Sequence, residues 1–269
     1  MSRMPVVFFG HGSPMIALET NVTSRAWEAI AAALPRPRAI VAISAHWETR
    51  GTAVLAMPRP RTIHDFGASF PKALFDMQYP APGDPALAKR VAELLAPTSV
   101  HLDTTDWGFD HGTWSVLVKA YPQADIPVIQ LSLDVAISPD ERLAIGRKLA
   151  PLRDEGVLIM GTGNIVHNLS AMDWSNRDCA PYDWSARFLG EIKDAIEKDE
   201  PARVAGFARL GDDARRAAPT PEHFWPLLYV LGARLPGDEV RLVNDRIEHG
   251  SLGMTSVVFE ASQAARAAA

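Results

Sequence analysis

Short aliphatic and β-branched runs recur along this chain, and several are apolar at nearly every position. Residues 5–9, 39–44, 52–57, 99–102, 126–133 and 156–161 read as strands, and 240–243 and 254–259 follow late. A strand with one face in water alternates apolar and polar residues. A continuous apolar run demands cover on both faces. Helical patterns lie between the runs and supply that cover. Asp84-Pro85 reads as N-cap and first helical position ahead of 86–95, and Ser138-Pro139-Asp140-Glu141 does the same for a helix to about 149. Residues 184–198 place Phe188, Leu189, Ile192 and Ile196 at helical spacing. Thr220-Pro221-Glu222 is expected to open a further helix carrying Phe224, Leu227, Leu228 and Leu231. The expected fold is α/β, a single domain over residues 1–262. Its central sheet should be mostly parallel or mixed, with helices on both faces. No internal repeat or linker-like segment divides the chain. The Ala-rich tail, 263–269, is expected to fray.

Composition narrows the function. With 269 residues and 47% hydrophobic content, a sizeable core is available. Charged residues make up 22%, which excludes a disordered chain. The net charge of −5 argues against nucleic acid or an anionic membrane as the main partner. No apolar run approaches the roughly 20 residues of a membrane span. The apolar stretch near the N-terminus is also too short for a secretory segment, so a cytoplasmic location is expected. Cys179 is the single cysteine, so any metal must be held by His, Asp or Glu. The eight histidines therefore carry most of the information.

His11 follows the first strand and sits between Gly10 and Gly12. Ligands of open α/β sheets gather at such strand ends, but a turn histidine fits equally well. A serine-nucleophile reading of Ser13 is weak, because the glycines that motif requires are His11 and Met15 here. His46 stands at the expected end of a second buried strand. His167 follows a third, in a loop opened by Gly161 and Gly163. It reads as an acid/base group, a ligand or a plain loop residue. His111 sits where a helix begins, with Asp110 ready to cap the helix or orient the ring. His223, beside Glu222, reads in isolation as a solvent-facing histidine at a helix start. His64 is a loop candidate. His101 and His249 have no neighbours that raise them above surface or structural roles. Together, several glycine-framed histidines fit a mononuclear metal site with further histidines for proton transfer. Without cysteines, that site suits non-haem Fe(II) or Zn(II).

Six motifs, in order, resemble those of the class III extradiol ring-cleavage dioxygenases. They are Gly10-His11-Gly12-Ser13-Pro14, Ser44-Ala45-His46-Trp47, His64-Asp65-Phe66, Asp110-His111-Gly112-Thr113-Trp114, Gly163-Asn164-Ile165-Val166-His167-Asn168 and Pro221-Glu222-His223-Phe224. The closing Gly250-Ser251-Leu252-Gly253-Met254 is also similar, and the resemblance runs from about residue 5 to 260. The branch it resembles is the DOPA 4,5-dioxygenase type, related to protocatechuate 4,5-dioxygenase beta subunits. The resemblance implies a metal held by His11, His46 and His223. Glu222 is the candidate substitute for the third ligand, and His167 a candidate fourth. It assigns acid/base work to His167 and a substrate-facing role to His111. His64, Phe66 and Trp114, with Phe70, are expected to wall the substrate. It implies Fe(II) for activity, with Zn(II) as an alternative bound metal. The implied partners are a catechol-type molecule and O2, with no nucleic acid or membrane; a homodimer is the default expectation. One loop departs from the family: an aromatic-Gly-Phe-Pro stretch is expected where Asp65-Phe66-Gly67-Ala68-Ser69-Phe70-Pro71 stands. That leaves the preferred catechol open. Two rival readings remain, a zinc-dependent hydrolase of similar fold and a non-enzymatic binding protein on the same scaffold.

Overall fold

Five consecutive buried residues, Val6–Gly10, form β1. Their side chains alternate between two cores: Val6 and Phe8 enter one, Val7 and Phe9 the other. The same split recurs on β2 (Ala39–Thr49), where Val41 and Ile43 face away from Ile40 and Ala42. Both faces of the sheet are therefore covered, as the unbroken apolar runs require. The computed structural model describes residues 3–262; the tail expected to fray, 263–269, lies outside the described residues.

The other strands are β3 (Thr52–Leu55), β4 (Val100–Asp103), β5 (Val128–Asp134), β6 (Val157–Gly163), β7 (Asp238–Val243), β8 (Ile247–Glu248), β9 (Leu252–Gly253) and β10 (Ser256–Ala261). Eight of them make one mixed sheet in the order β4-β3-β5-β2-β6-β1-β10-β7, while β8 and β9 pair separately. The centre, β5-β2-β6-β1, is parallel. Antiparallel joins to β3 and β10 close it on either side.

The helices are α1 (Val22–Ala33), α2 (Lys72–Phe75), α3 (Pro85–Leu95), α4 (His111–Ala120), α5 (Pro139–Leu149), α6 (Asp183–Glu197), α7 (Pro201–Ala205), α8 (Asp212–Ala217) and α9 (Trp225–Ala233). α1 and α4 cover one face; α3, α5, α6 and α9 cover the other. The expected caps form: Asp84 accepts from Leu87 N at 2.9 Å, and Ser138 makes a capping box with Glu141. None of these helices is long and apolar enough to cross a membrane.

The structure differs from the sequence reading in several places. α1, α2, α7 and α8 have no counterpart among the expected helices; α1 starts at an Asn21–Ser24 capping box and its buried stripe is short. β2 continues past residue 44 to Thr49, with a register shift against β5 between Ile43 and Glu48. The helix expected from Thr220 starts instead at Trp225. Pro226 explains this, because proline lacks an N–H and clashes one turn back. It must occupy the first turn, which moves the start of the helix to Trp225. Residues 219–224 become turns, and His223 sits in them rather than on a helix.

Candidate active site

Because β1, β2 and β6 are adjacent and parallel, their carboxyl ends open on one edge. His11 leaves β1 there, its N–H donating to Gly163 O of β6 at 3.0 Å. Asn164, directly after β6, donates through its side chain to His11 O and to Gly253 O. His46 lies inside the irregular stretch of β2, and its N–H donates to Ser44 Oγ at 3.2 Å. A bulged strand re-aims side chains, which is common beside active sites. Gly163 lets the turn carrying His223 lie against β6: a Cβ there would collide with His223 O. Gly112 does the same for His46 at the first turn of α4.

The result is one cluster of five histidines. His11 Nε2 and His46 Nε2 are 3.1 Å apart. Donor atoms of His11, His46 and His223 all lie within 4.8 Å of one another. The His167 ring stacks on His223 with centroids 3.5 Å apart and planes at 7°. The His111 ring lies 3.9 Å from that of His46. Burial, with repulsion from the neighbouring imidazoles, holds His11 and His46 well below the ordinary imidazole range. Burial also lowers His223, and takes His167 down to about 3. These rings are neutral at physiological pH, the form that offers a lone pair to a metal. Nδ1 of His11 is buried with no hydrogen-bond partner among the described residues.

Carboxylates flank the cluster. Glu222 Oε1 lies 3.0 Å from His223 Nδ1 and also accepts from Thr220. Burial works against the Glu222 charge, but the bond to His223 holds its carboxyl down to about 2. Asp65 accepts the His111 backbone N–H at 2.8 Å. Its other oxygen is 3.0 Å from His111 Nδ1 and 3.9 Å from His46 Nδ1. Asp110, considered as a partner for the His111 ring, caps α4 instead by accepting from Thr113 N at 3.0 Å. It is buried beneath the site on Gln130, and burial together with Asp65 raises its carboxyl to about 6.

These histidines open onto a cavity of about 510 Å³, within the usual range for a small-molecule site. Phe66 and Phe70 line it. Trp114 and His64 stand behind them. Trp114 is fully buried and donates to Ile63 O; His64 bonds Met77 O and packs edge-on against Phe66. His101 is exposed on β4, as expected. His249 is not a mere surface residue: it lines the cavity, together with Arg177, Glu19 and Glu248. The sequence offered a signal for Asp65, which adjoins His64 and Phe66. It offered none for Arg177 or Glu19, which belong to no motif that the sequence singles out.

The family described as the catalytic LigB subunit of aromatic ring-opening dioxygenase matches residues 8–260. The chain belongs to this family. It is an extradiol aromatic ring-opening dioxygenase. It is 50% identical to an Escherichia coli (strain K12) protein named 4,5-DOPA dioxygenase extradiol, over 95% of this chain and 94% of that one. A Beta vulgaris protein of the same name is 36% identical, over 94% and 95% of the two chains. A crystal structure of an uncharacterized Escherichia coli K12 protein superposes with a TM-score of 0.83 at 45% identity, covering 95% of this chain and 99% of that one. For an extradiol dioxygenase, a cluster of neutral imidazoles marks a metal site, and an aromatic-walled cavity beside it suits a catechol-type substrate met by O2.

Proposed function

We propose that this dioxygenase opens a catechol ring beside its two hydroxyls, using Fe(II) held by His11, His46 and His223. The observation that carries the reading is the convergence of five histidines on the floor of one aromatic-walled cavity. Nε2 atoms 3.1 Å apart on His11 and His46 fit two ligands of one ion, which at about 2.1 Å each stand roughly 3 Å from one another. The hydrogen bond to Glu222 supports His223 rather than Glu222 as third ligand. An ionised carboxylate only accepts, so the ring proton of His223 sits on Nδ1 and Nε2 keeps its lone pair. Glu222 is then the group that orients the ligand, an arrangement common to metal-bound histidines. With N ligands and no cysteine, Zn(II) is an alternative occupant of the same site.

Fe(II) supplies a template for both reactants and lowers the pKa of a catechol hydroxyl. His167 takes that hydroxyl proton on a ring nitrogen and later returns one to the opening product. Its burial keeps the ring neutral before the catechol binds, so the two ring nitrogens are not both already protonated. His111, beside His46, donates a hydrogen bond to the substrate oxygen. Phe66 and Phe70 hold the ring face and exclude water, with His64 and Trp114 bracing Phe66 from behind. The relatives named 4,5-DOPA dioxygenase extradiol make DOPA the first catechol to try.

The test is anaerobic loading with Fe(II), then addition of DOPA or another catechol and air. Oxygen uptake with a yellow ring-opened product is expected. No oxygen uptake across a catechol panel overturns the reading.

A further inference from the structure

Asp65 stands on an exposed loop, yet its side chain turns inward and is only 18% exposed. The stretch just ahead of it is fastened to the start of α4. Ile63 N donates to Phe109 O at 2.9 Å, Phe109 N to Arg61 O at 2.8 Å, and Trp114 Nε1 to Ile63 O at 2.9 Å. His64, its immediate neighbour, bonds Met77 O at 3.0 Å. These bonds fix where the Asp65 carboxylate lies relative to α4.

The two carboxylate oxygens have different surroundings. Oδ1 accepts the N–H of His111, one of the donors that a helix leaves free in its first turn. Oδ2 lies 3.0 Å from Nδ1 of the same residue's ring and 3.9 Å from Nδ1 of His46. A plain helix cap needs one oxygen only, and Asp110 already caps α4. Among the described residues no lysine or arginine pairs with Asp65, so imidazoles are what its second oxygen meets. The His111 ring is confined further by His46, 3.9 Å away between centroids, and by Phe66, 5.7 Å away and nearly perpendicular. An imidazole carries its two nitrogens on one rigid ring. With Nδ1 against Asp65, Nε2 is the nitrogen left for the cavity that His111 lines.

We infer that Asp65 is the positioning residue for His111: its carboxylate fixes where the backbone of that residue sits and which ring nitrogen meets the substrate. The inference rests on the substrate-facing role proposed for His111 and deepens it. A carboxylate behind a metal-bound histidine is worth about 10–100-fold in metal affinity or activity. Here the nearer ring is that of His111 and not that of the ligand His46, so the loss belongs to turnover rather than to metal content.

The test is Asp65→Asn, alone and combined with His111→Ala, in the full chain loaded with Fe(II). The amide oxygen of asparagine still accepts the His111 N–H, so melting temperature and metal content should stand. Its NH2 group then sets a donor where Nδ1 had an acceptor. With DOPA and air, kcat should fall about 10–100-fold while KM changes less than about threefold. In the His111→Ala background the same substitution should cost nothing further, because the residue it acts through is gone. A merely structural role would lower melting temperature, metal content and activity together, and would add to the His111→Ala loss. The ring nitrogen signals of His111, read by nuclear magnetic resonance in the Zn(II)-loaded chain, report the same contact without turnover, since that closed-shell ion leaves them sharp. Asp65→Asn should shift the Nδ1 signal. Additive losses, a parallel loss of metal or an unmoved Nδ1 signal overturns the inference. A shifted Nδ1 signal supports it even where the unaltered protein takes up no oxygen, a result that would count against the catechol reading alone.

Discussion

At the residue scale, the task proposed for each histidine rests on its immediate neighbours. His223 has an ionised carboxylate on Nδ1; His167 has a stacked ring and no such partner among the described residues. The two should therefore respond differently to truncation. His11→Ala should strip the metal, whereas His167→Ala should retain most of it while turnover falls about 10²–10⁴-fold, the usual worth of a positioned acid/base group. Metal analysis of the two purified variants, beside single-turnover rates, checks this. Equal metal loss in both would make His167 a ligand. The five clustered histidines can be singled out from the chain because each lies in a short, chemically pointed motif. Asp65 lies in one of those motifs, but its role, like those of Arg177 and His249, cannot be assigned from sequence. Their partners, His111, Glu19 with Glu248, and Asp173, are side chains and carbonyls brought to them only by folding.

At the element scale, the site depends on backbones that approach closely. Gly163 closes β6 against the carbonyl of His223, an atom that cannot swing aside as a flexible side chain can. Gly163→Ala should therefore destabilise by about 1–3 kcal/mol or more and displace His223, lowering metal content along with Tm. Gly190, in α6, has open space where a Cβ would stand, so Gly190→Ala should instead stabilise by about 0.4–1 kcal/mol through the unfolded chain. Thermal melts of the pair, with metal analysis, test the contrast. The elements themselves are largely legible. Six of the expected strands fall on the six parallel or neighbouring strands of the sheet within about two residues, except where β2 runs on. α9 starts later than its cap-like Thr220 suggests because Pro226 dictates the first turn. α1 escapes the periodicity because it is Ala-rich and its buried stripe, Trp27, Ile30 and Ala31, is narrow.

At the scale of the whole molecule, one buried ion pair ties distant segments together. Arg153 and Asp238 are both buried, 2.6 Å apart. The same guanidinium donates to Met4 O, ahead of β1, and to Ala233 O at the end of α9. Removing one partner leaves a charge in the interior without compensation. Asp238→Asn should cost about 3–5 kcal/mol in chemical denaturation. A loss below about 1 kcal/mol would mean that water reaches the pair.

The sequence by itself determined the fold class, because unbroken apolar strands can be stable only with helices on both faces. It also limited the chemistry, because in a chain with one cysteine any metal must be held by nitrogen and oxygen ligands. Only the tertiary structure decided that Glu222 meets Nδ1 of His223, that Asp65 rather than Asp110 stands beside His111, and that Arg177, Glu19 and His249 share the cavity. Those facts depend on angles and separations of a few ångströms between residues at opposite ends of the chain. Local sequence encodes periodicity and turn chemistry; it does not encode which loops the closed sheet will bring face to face.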